Sequence, residues 1–198
     1  MAALWDAGAI LAATATSPDE GRAILDAGLD AIVAQGWEAG GHRGIFDPDG
    51  PDERLSTLDL VRALVPLGLP VIAAGGIMDA EDTRAALQAG AAAVQGGTAF
   101  LLAPEAATPP AHRAALAAGR TVVTRAISGR PARACENLFT AIPEDGTPGY
   151  PMTYDAGKAL NAAAVAAGET GYGPHWAGTG AARAVARPAA DTVAALAP

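Results

Sequence analysis

The sequence predicts an α/β fold built on a parallel β-sheet, and two observations support this. First, a helix-like segment ends in Ala-Gly and a short apolar run follows, at Ala7-Gly8, Ala27-Gly28 and Ala89-Gly90. Glycine at such a place caps the C-terminus of a helix, and an uninterrupted apolar run is typical of a strand that is buried on both faces. Second, strands and helices alternate at a spacing that is typical of right-handed βαβ units, in which the strands are parallel.

Four strands and three helices are predicted in the first hundred residues. The strands are Ala9 to Ala13, Ala31 to Ala34, Pro70 to Ala74 and Ala92 to Gln95. The helices are Pro18 to Ala27, Thr57 to Leu67 and Asp79 to Ala89. Ser17 and Asp79 supply N-cap side chains, and proline at residue 18 suits the first position of a helix. Residues 1–103 are therefore interpreted as four βα units.

The alternation stops after Pro104, and residues 104–198 are interpreted as a helical insert and a C-terminal segment. Loops are expected at Pro109-Pro110 and at Gly146 to Pro151, and helices at Ala132 to Phe139 and Asp155 to Ala167. We expect this part to pack on the βα units in a single domain, 1–198.

Four parallel strands fit two architectures, half of a (βα)8 barrel or a small open sheet. A complete barrel needs roughly 250 residues. The chain also opens close to a predicted helix end, at Ala7-Gly8. We therefore expect that the front half of a barrel is missing.

Composition excludes several classes of protein. The chain is 51% hydrophobic and 17% charged, which is typical of a folded domain rather than a disordered segment. With a net charge of -8 and Lys158 as the only lysine, it has no basic stripe for nucleic acid. Cys135 is the only cysteine, so an internal disulfide is excluded and the cytoplasm is the expected compartment. No membrane segment is expected.

Glycine-rich loops follow three of the predicted strands. They are residues 35–44, which read QGWEAGGHRG, then Gly75-Gly76-Ile77, and then Gln95-Gly96-Gly97-Thr98. The carboxyl ends of parallel strands share one edge of a sheet, where ligands bind. Backbone N–H groups in such loops bind phosphate oxygens. Neither the Gly-x-Gly-x-x-Gly nor the P-loop pattern is present.

Each of these features also has a purely structural interpretation. Gly75-Gly76 fits a tight turn, Gly96-Gly97 fits a bulge, and His42 fits an ordinary surface histidine. Glu38 is interpreted as a solvated loop carboxylate, the alternative being a residue that orients His42. Three successive glycine-rich loops favour a ligand site. The three histidines are too dispersed in the sequence to predict a metal site.

Five stretches of the sequence carry a family resemblance. They are Ala34 to Gly44, Pro70 to Ile77, Ala93 to Phe100, Ser128 to Arg133 and Trp176-Ala177-Gly178. In this order they resemble the nitronate monooxygenase family, once called 2-nitropropane dioxygenases. The resemblance implies an FMN-dependent TIM barrel with a helical segment inserted late. This chain would carry its last four βα units, the C-terminal half to two-thirds of the family's length.

The resemblance also implies a site and a reaction. His42 falls on the family's histidine and is the implied catalytic residue. The implied FMN contacts are Gln35, Gly40, Gly76, Gln95, Gly96, Gly97 and Thr98, although the family has Met where Gly96 stands. The implied reaction oxidises alkyl nitronates, such as propionate 3-nitronate, with O2 to a carbonyl compound and nitrite. A base with a near-neutral pKa suits proton removal from a nitroalkane.

Two alternatives stay open. One is a flavin-dependent NAD(P)H reductase of the enoyl-acyl-carrier-protein or quinone type, which has a very similar Gly-Gly-His loop. The other is an inactive half-barrel, or one that needs a partner chain. A half-barrel exposes two unpaired sheet edges and an apolar flank, which favours association, including association between copies of the chain.

Overall fold

The structure, a computed structural model, describes residues 2–198. Its helices are α1 (Ala2–Asp6), α2 (Pro18–Asp26), α3 (Thr57–Leu64), α4 (Ala80–Gln88), α5 (Pro110–Ala118), α6 (Met152–Ala166) and α7 (Ala189–Leu196). Its strands are β1 (Ala12–Ala15), β2 (Ala31–Gln35), β3 (Gly41–His42), β4 (Val71–Ala74), β5 (Ala93–Gln95), β6 (Thr121–Thr124) and β7 (Ala132–Cys135). Short 3₁₀ helices occupy Val65–Leu67, Thr98–Phe100 and Ala181–Arg183.

The chain divides into two compact units. The first unit comprises residues up to Glu38, Gly44–Gly96 and Leu196–Pro198. It contains a four-stranded parallel sheet with the order β1-β2-β4-β5, in which Ala34 lies opposite Ala15 on one side and Ala73 on the other. The predicted α/β fold with a parallel sheet is confirmed.

The helices of the first unit begin where their capping side chains are. Ser17 Oγ accepts from the Glu20 N–H at 3.2 Å, and Asp79 Oδ1 accepts from the Glu81 N–H at 2.9 Å. Ser56 caps α3 in the same way. Between helices and sheet lies the core of this unit, whose fully buried members include Ile32, Leu60, Val61, Leu64 and Val71.

Two predicted boundaries in the first unit were wrong. Strand β1 begins at Ala12 rather than Ala9, since the Ala9 N–H closes a turn onto the Leu4 carbonyl and Ile10 is 83% exposed. The helix predicted over Thr57 to Leu67 ends as an α-helix at Leu64 and tightens into a 3₁₀ turn. Pro66 has no N–H to continue the α-helical pattern there.

The second unit comprises Ala39–Arg43 and Gly97–Ala195. It contains a three-stranded antiparallel sheet with the order β3-β7-β6, together with α5 and α6. The helix predicted over Asp155 to Ala167 is confirmed by α6. Pro110, predicted to lie in a loop, is instead the first residue of α5, where a missing N–H costs nothing. The single-domain organisation of residues 1–198 stays a prediction.

The helix predicted over Ala132 to Phe139 was wrong. Residues 132–135 form the central strand β7, which pairs with β3 on one side and β6 on the other. All four side chains of this strand are buried. Because alanine favours helices in isolation, the local sequence gave no strand signal, and the two neighbouring strands decided the outcome.

None of the helices in residues 2–198 combines the length and apolar character that a membrane-spanning segment needs.

Leu64→Ala should lower the free energy of unfolding by about 2–5 kcal/mol, because it leaves a cavity in the core of the first unit. Leu64 is fully buried on α3, whereas Leu87 on α4 is 38% exposed. Leu87→Ala, the matched control, should cost under about 1 kcal/mol. Urea unfolding followed by far-ultraviolet circular dichroism compares the two, and equal losses would contradict the assigned core.

Candidate functional site

His42 is held in the second unit by its backbone. Gly41 has a φ of 78°, a conformation that glycine adopts readily, and the Gly41–His42 strand pairs with Ala132 and Arg133 of β7. A Cβ on Gly40 would lie 2.5 Å from the Ala177 carbonyl carbon. Geometry therefore favours glycine at both residues before the histidine. Gly41 has a positive φ, and the Gly40 backbone lies close to that of Ala177.

The His42 side chain hydrogen-bonds Ser128. Nε2 lies 2.9 Å from Ser128 Oγ, and Ser128 is fully buried. The same hydroxyl lies 3.2 Å from the Arg130 carbonyl, to which it donates. When the single hydroxyl hydrogen points to this carbonyl, Nε2 must be the donor to Ser128. The lone pair of the neutral ring is then on Nδ1, the nitrogen that can accept a proton.

Three aromatic side chains surround the His42 imidazole. The ring centroids of Tyr150, Tyr154 and Trp176 lie 5.7, 5.6 and 5.2 Å from that of His42. Tyr150 and Tyr154 approach edge-on, at 71° and 87°. The imidazole is thus enclosed by apolar ring surface with two phenol groups at its margin.

Two cationic side chains lie near the aromatic rings and the imidazole. Lys158 Nζ lies 4.3 Å from the centroid of the Tyr154 ring, one turn earlier on α6. It also lies 3.3 Å from Asp155 Oδ1. Arg130 is close enough to His42 to act on its protonation. Arg130 therefore places positive charge beside a neutral imidazole, whereas the charge of Lys158 is offset by Asp155.

Burial lowers the pKa of His42 below its ordinary value of 6.5, and the positive charge of Arg130 lowers it further. The imidazole is therefore neutral at pH 7. A neutral ring has an acceptor nitrogen, so His42 can take up a proton from a bound molecule.

The loop after β2 is fixed within the first unit by Glu38. Its Oε2 accepts from the backbone N–H of Thr57 at 2.9 Å and lies 2.9 Å from the Thr57 hydroxyl. That hydroxyl also lies 2.9 Å from the Gly75 carbonyl oxygen. The interpretation of Glu38 as a solvated loop carboxylate was therefore wrong. Its carboxylate connects the loop after β2, the start of α3 and the loop after β4.

The predicted site residues divide between the two units. Gln35, Gly76, Gln95 and Gly96 lie in the first unit, and Gly40, His42, Gly97 and Thr98 lie in the second. In the first, Gln35 Oε1 accepts from the Gly44 N–H at 2.7 Å. In the second, Thr98 Oγ accepts from the Gly178 N–H at 2.9 Å, which leaves its own hydroxyl hydrogen available to a ligand.

Gly97 leaves its backbone accessible, whereas glycine at residues 75 and 76 is favoured by the backbone conformation. Gly75 and Gly76 have φ values of 117° and 73°, so a side chain would strain the backbone there. A Cβ on Gly97 would meet no atom within 4 Å. Among residues 2–198, no three histidine, cysteine or acidic side chains come together as metal ligands would.

Sequence reasoning missed Ser128, Tyr150, Tyr154 and Lys158 as neighbours of His42. The spacing of Tyr150, Tyr154 and Lys158 is four residues each time, so the latter two lie on one face of α6. That spacing was the available signal. Ser128 is 86 residues from His42 in the chain, and no local pattern connects them.

A comparison with known families decides the relationship. The profile described as "Nitronate monooxygenase" matches residues 1–198. The chain belongs to the nitronate monooxygenase family. This confirms the resemblance noted in the sequence. Curated relatives include a nitronate monooxygenase of Paraburkholderia phytofirmans, 55% identical over 99% of this chain and 56% of the relative. Another, of Pseudomonas aeruginosa, is 50% identical over 92% of this chain and 54% of the relative.

Two solved structures resemble this chain. The nitroalkane oxidase of Streptomyces ansochromogenes matches with a TM-score of 0.92 and 40% identity, over 98% of this chain and 58% of that protein. FabK from Thermotoga maritima matches with a TM-score of 0.78 and 30% identity, over 98% of this chain and 61% of that protein. This family member thus spans about half the length of the curated relatives it matches.

Arg130→Gln should raise the pKa of His42 in this family member, because it removes a nearby positive charge while the burial of the ring remains. Arg120→Gln is the control, since Arg120 Nε pairs with Glu136 Oε2 on the surface at 2.9 Å. Nuclear magnetic resonance of the imidazole signals measures both titrations. An unchanged midpoint in Arg130→Gln, or an equal shift in the control, would contradict the assigned cause.

Proposed function

We propose that this member of the nitronate monooxygenase family binds FMN and oxidises alkyl nitronates, such as propionate 3-nitronate, with O2. The products are a carbonyl compound and nitrite. The observation that carries the proposal is the neutral His42 imidazole, bonded to Ser128 at 2.9 Å and enclosed by three aromatic rings. The family match over residues 1–198 supports the reaction class.

The residues present fit a phosphorylated flavin. A Cβ on Gly97 would meet no atom within 4 Å, so its backbone N–H is open to a phosphate oxygen, and Gly76 gives the loop after β4 the left-handed turn that it needs. The residues that would hold FMN are Gln35, Gly40, Gly76, Gln95, Gly96, Gly97 and Thr98. When bound, FMN supplies the electron transfer to O2.

The protein side chains would then handle the substrate and its proton. A neutral nitroalkane would lose its carbon-bound proton to the imidazole of His42, with Nδ1 as the acceptor when Ser128 takes the Nε2 hydrogen. A preformed nitronate needs no proton removal, and its negative oxygens would be attracted by Arg130. The rings of Tyr154 and Trp176 would exclude water, which strengthens these charge interactions.

We also infer that the parallel sheet is half of a TIM barrel. Its order β1-β2-β4-β5 follows the chain without reversal, which is the order that barrel closure requires. A doubly wound open sheet reverses its order at a switch point. The share of the solved relatives covered, 58% in the nitroalkane oxidase, agrees with a partial barrel. The proposed location of the protein is the cytoplasm.

His42→Asn should lower turnover of neutral nitroethane by about 10²–10⁴, the usual contribution of a general base. Turnover of preformed ethylnitronate should fall far less, because no carbon-bound proton remains to be removed. Nitrite release from the FMN-loaded chain, without NADH, measures both. The second substrate serves as the internal control.

Other outcomes of this assay would overturn the proposal. An equal loss on both substrates would remove His42 from the proton-transfer step. Oxidation of NADH by a quinone or an enoyl thioester without nitrite release would favour the reductase alternative. A wild-type chain that retains no FMN at all would favour a half-barrel that needs a partner.

Gly76→Val should raise the dissociation constant of FMN at least tenfold, about 1.4 kcal/mol, because its Cβ would lie 3.3 Å from the Glu38 Cβ and the crowded side chains would displace the loop proposed to hold the flavin. Gly28→Val is the matched control. Gly28 has the same φ of 73° but follows α2, at the amino edge of the sheet. Flavin fluorescence titration measures both variants. Equal weakening would indicate backbone strain in general, and would contradict a specific role of the loop after β4 in holding FMN.

A further inference from the structure

Three consecutive residues of the second unit, Ile127–Gly129, contact both the His42 side chain and the chain segment that carries the two tyrosines. The middle residue, Ser128, places its Oγ 2.9 Å from His42 Nε2. The residues on either side of it lie against the backbone of Tyr150 and against α6. We call Ile127–Gly129 the support segment, because the imidazole and the tyrosine rings both depend on it for their positions.

The first contact of the support segment is made by Gly129. A Cβ on this residue would lie 2.7 Å from the Gly149 carbonyl carbon and 2.7 Å from Tyr150 N. Cβ atoms essentially never come within 3.0 Å of backbone atoms, so only glycine permits this approach. The ring of Tyr150 lies 5.7 Å from that of His42. The backbone that carries this ring is therefore placed by the residue that directly follows Ser128.

The second contact is made by Gly157, a buried residue of α6. A Cβ here would lie 2.6 Å from the Ile127 carbonyl oxygen and 2.9 Å from Phe139 Cζ. Glycine in the interior of a helix costs about 1 kcal/mol relative to alanine, so helix propensity opposes it and close packing accounts for it. Tyr154 lies almost one turn earlier on α6, and its ring is 5.6 Å from that of His42.

The support segment is itself held firmly. The backbone N–H groups of Ser128 and Gly129 both donate to the Arg125 carbonyl, at 3.3 and 2.7 Å. The Ile127 side chain is 1% exposed and belongs to the same buried apolar cluster as Phe139. A side chain added at the contacts would therefore displace the tyrosine-bearing segment more readily than the support segment.

We propose that Gly129 and Gly157 are positioning residues for the aromatic rings beside His42. The contact of Gly129 fixes Tyr150, and the contact of Gly157 fixes Tyr154. A methyl group at either glycine would displace its tyrosine by on the order of 1 Å, since carbon atoms in contact lie about 3.5–4.0 Å apart. Only the meaning of this arrangement for catalysis, the enclosure of the imidazole during proton transfer, rests on the proposed function.

The test is nuclear magnetic resonance of the full chain without FMN. The ring-proton signals of His42 report the aromatic rings around it, because ring-current shifts weaken steeply with distance. Gly157→Ala should move these signals by at least a quarter of the shift that Tyr154→Leu causes, in the same direction. Gly129→Ala should do the same relative to Tyr150→Leu.

Two other glycines of the tyrosine-bearing segment provide matched controls. Gly149→Ala is the control for Gly157→Ala, since Gly149 has no positive φ and a Cβ there would meet no atom within 4 Å. Gly146→Ala is the control for Gly129→Ala. The φ of Gly146 is 74° and that of Gly129 is 79°, but a Cβ on Gly146 would also meet no atom within 4 Å. Both controls should leave the His42 signals in place.

The outcomes separate a positioning role from ordinary packing. A shift in the glycine contact variants that is absent from their controls would support the proposal. Unmoved His42 signals in folded Gly157→Ala or folded Gly129→Ala would overturn it, even if the variant were less stable. A shift in Gly146→Ala equal to that in Gly129→Ala would also overturn it, because backbone strain would then be the cause.

The wild-type chain provides a second measurement if the contact variants do not fold. Nuclear Overhauser cross-peaks should connect the Gly129 Hα protons with the Tyr150 N–H, and the Gly157 Hα protons with the Phe139 ring. Their absence would overturn the proposal. Neither FMN nor a nitronate takes part in these measurements, so a failure of the proposed oxidation would leave their results unaffected.

Discussion

The close approach of two backbones at Gly40 is the constraint on which the His42 site depends. A Cβ at this residue would lie 2.5 Å from the Ala177 carbonyl carbon and 2.5 Å from Gly178 N. Because the main chains can meet there, the next two residues reach β7 and pair with it, and Trp176 comes to lie against the imidazole. Ser128, Tyr150 and Tyr154 then complete the surroundings of the imidazole from other segments of the second unit.

Much of the parallel sheet could be predicted because its signals are local. Capping side chains such as Ser17 and Asp79, and the apolar runs that follow Ala-Gly, act over a few residues and are visible in sequence. The strand β7 could not be predicted, since its sequence Ala-Arg-Ala-Cys favours no sheet by itself. It is a strand because β3 and β6, from distant parts of the chain, pair with its two edges.

The residues of the candidate site also fall into those that could be predicted from the sequence and those that could not. His42 was predictable from the glycines before it and from the family resemblance, because both are continuous in sequence. Ser128 and Tyr150 were not, since strand pairing and loop packing bring them to the imidazole. The role of Glu38 was misread for a similar reason. Its partner Thr57 lies 19 residues ahead, at the start of α3, and its polar surroundings exist only in the folded chain.

The position of Cys135 in the central strand determines how the thiol reacts with oxidants. This sole thiol is 1% exposed, and burial raises its pKa, so almost none of it is thiolate at neutral pH. Sulfenic acid formation and alkylation both need the thiolate and access to solvent. The Cys135 thiol of the folded chain is therefore protected from peroxide and from maleimides, and a label on its sulfur would report opening of the antiparallel sheet.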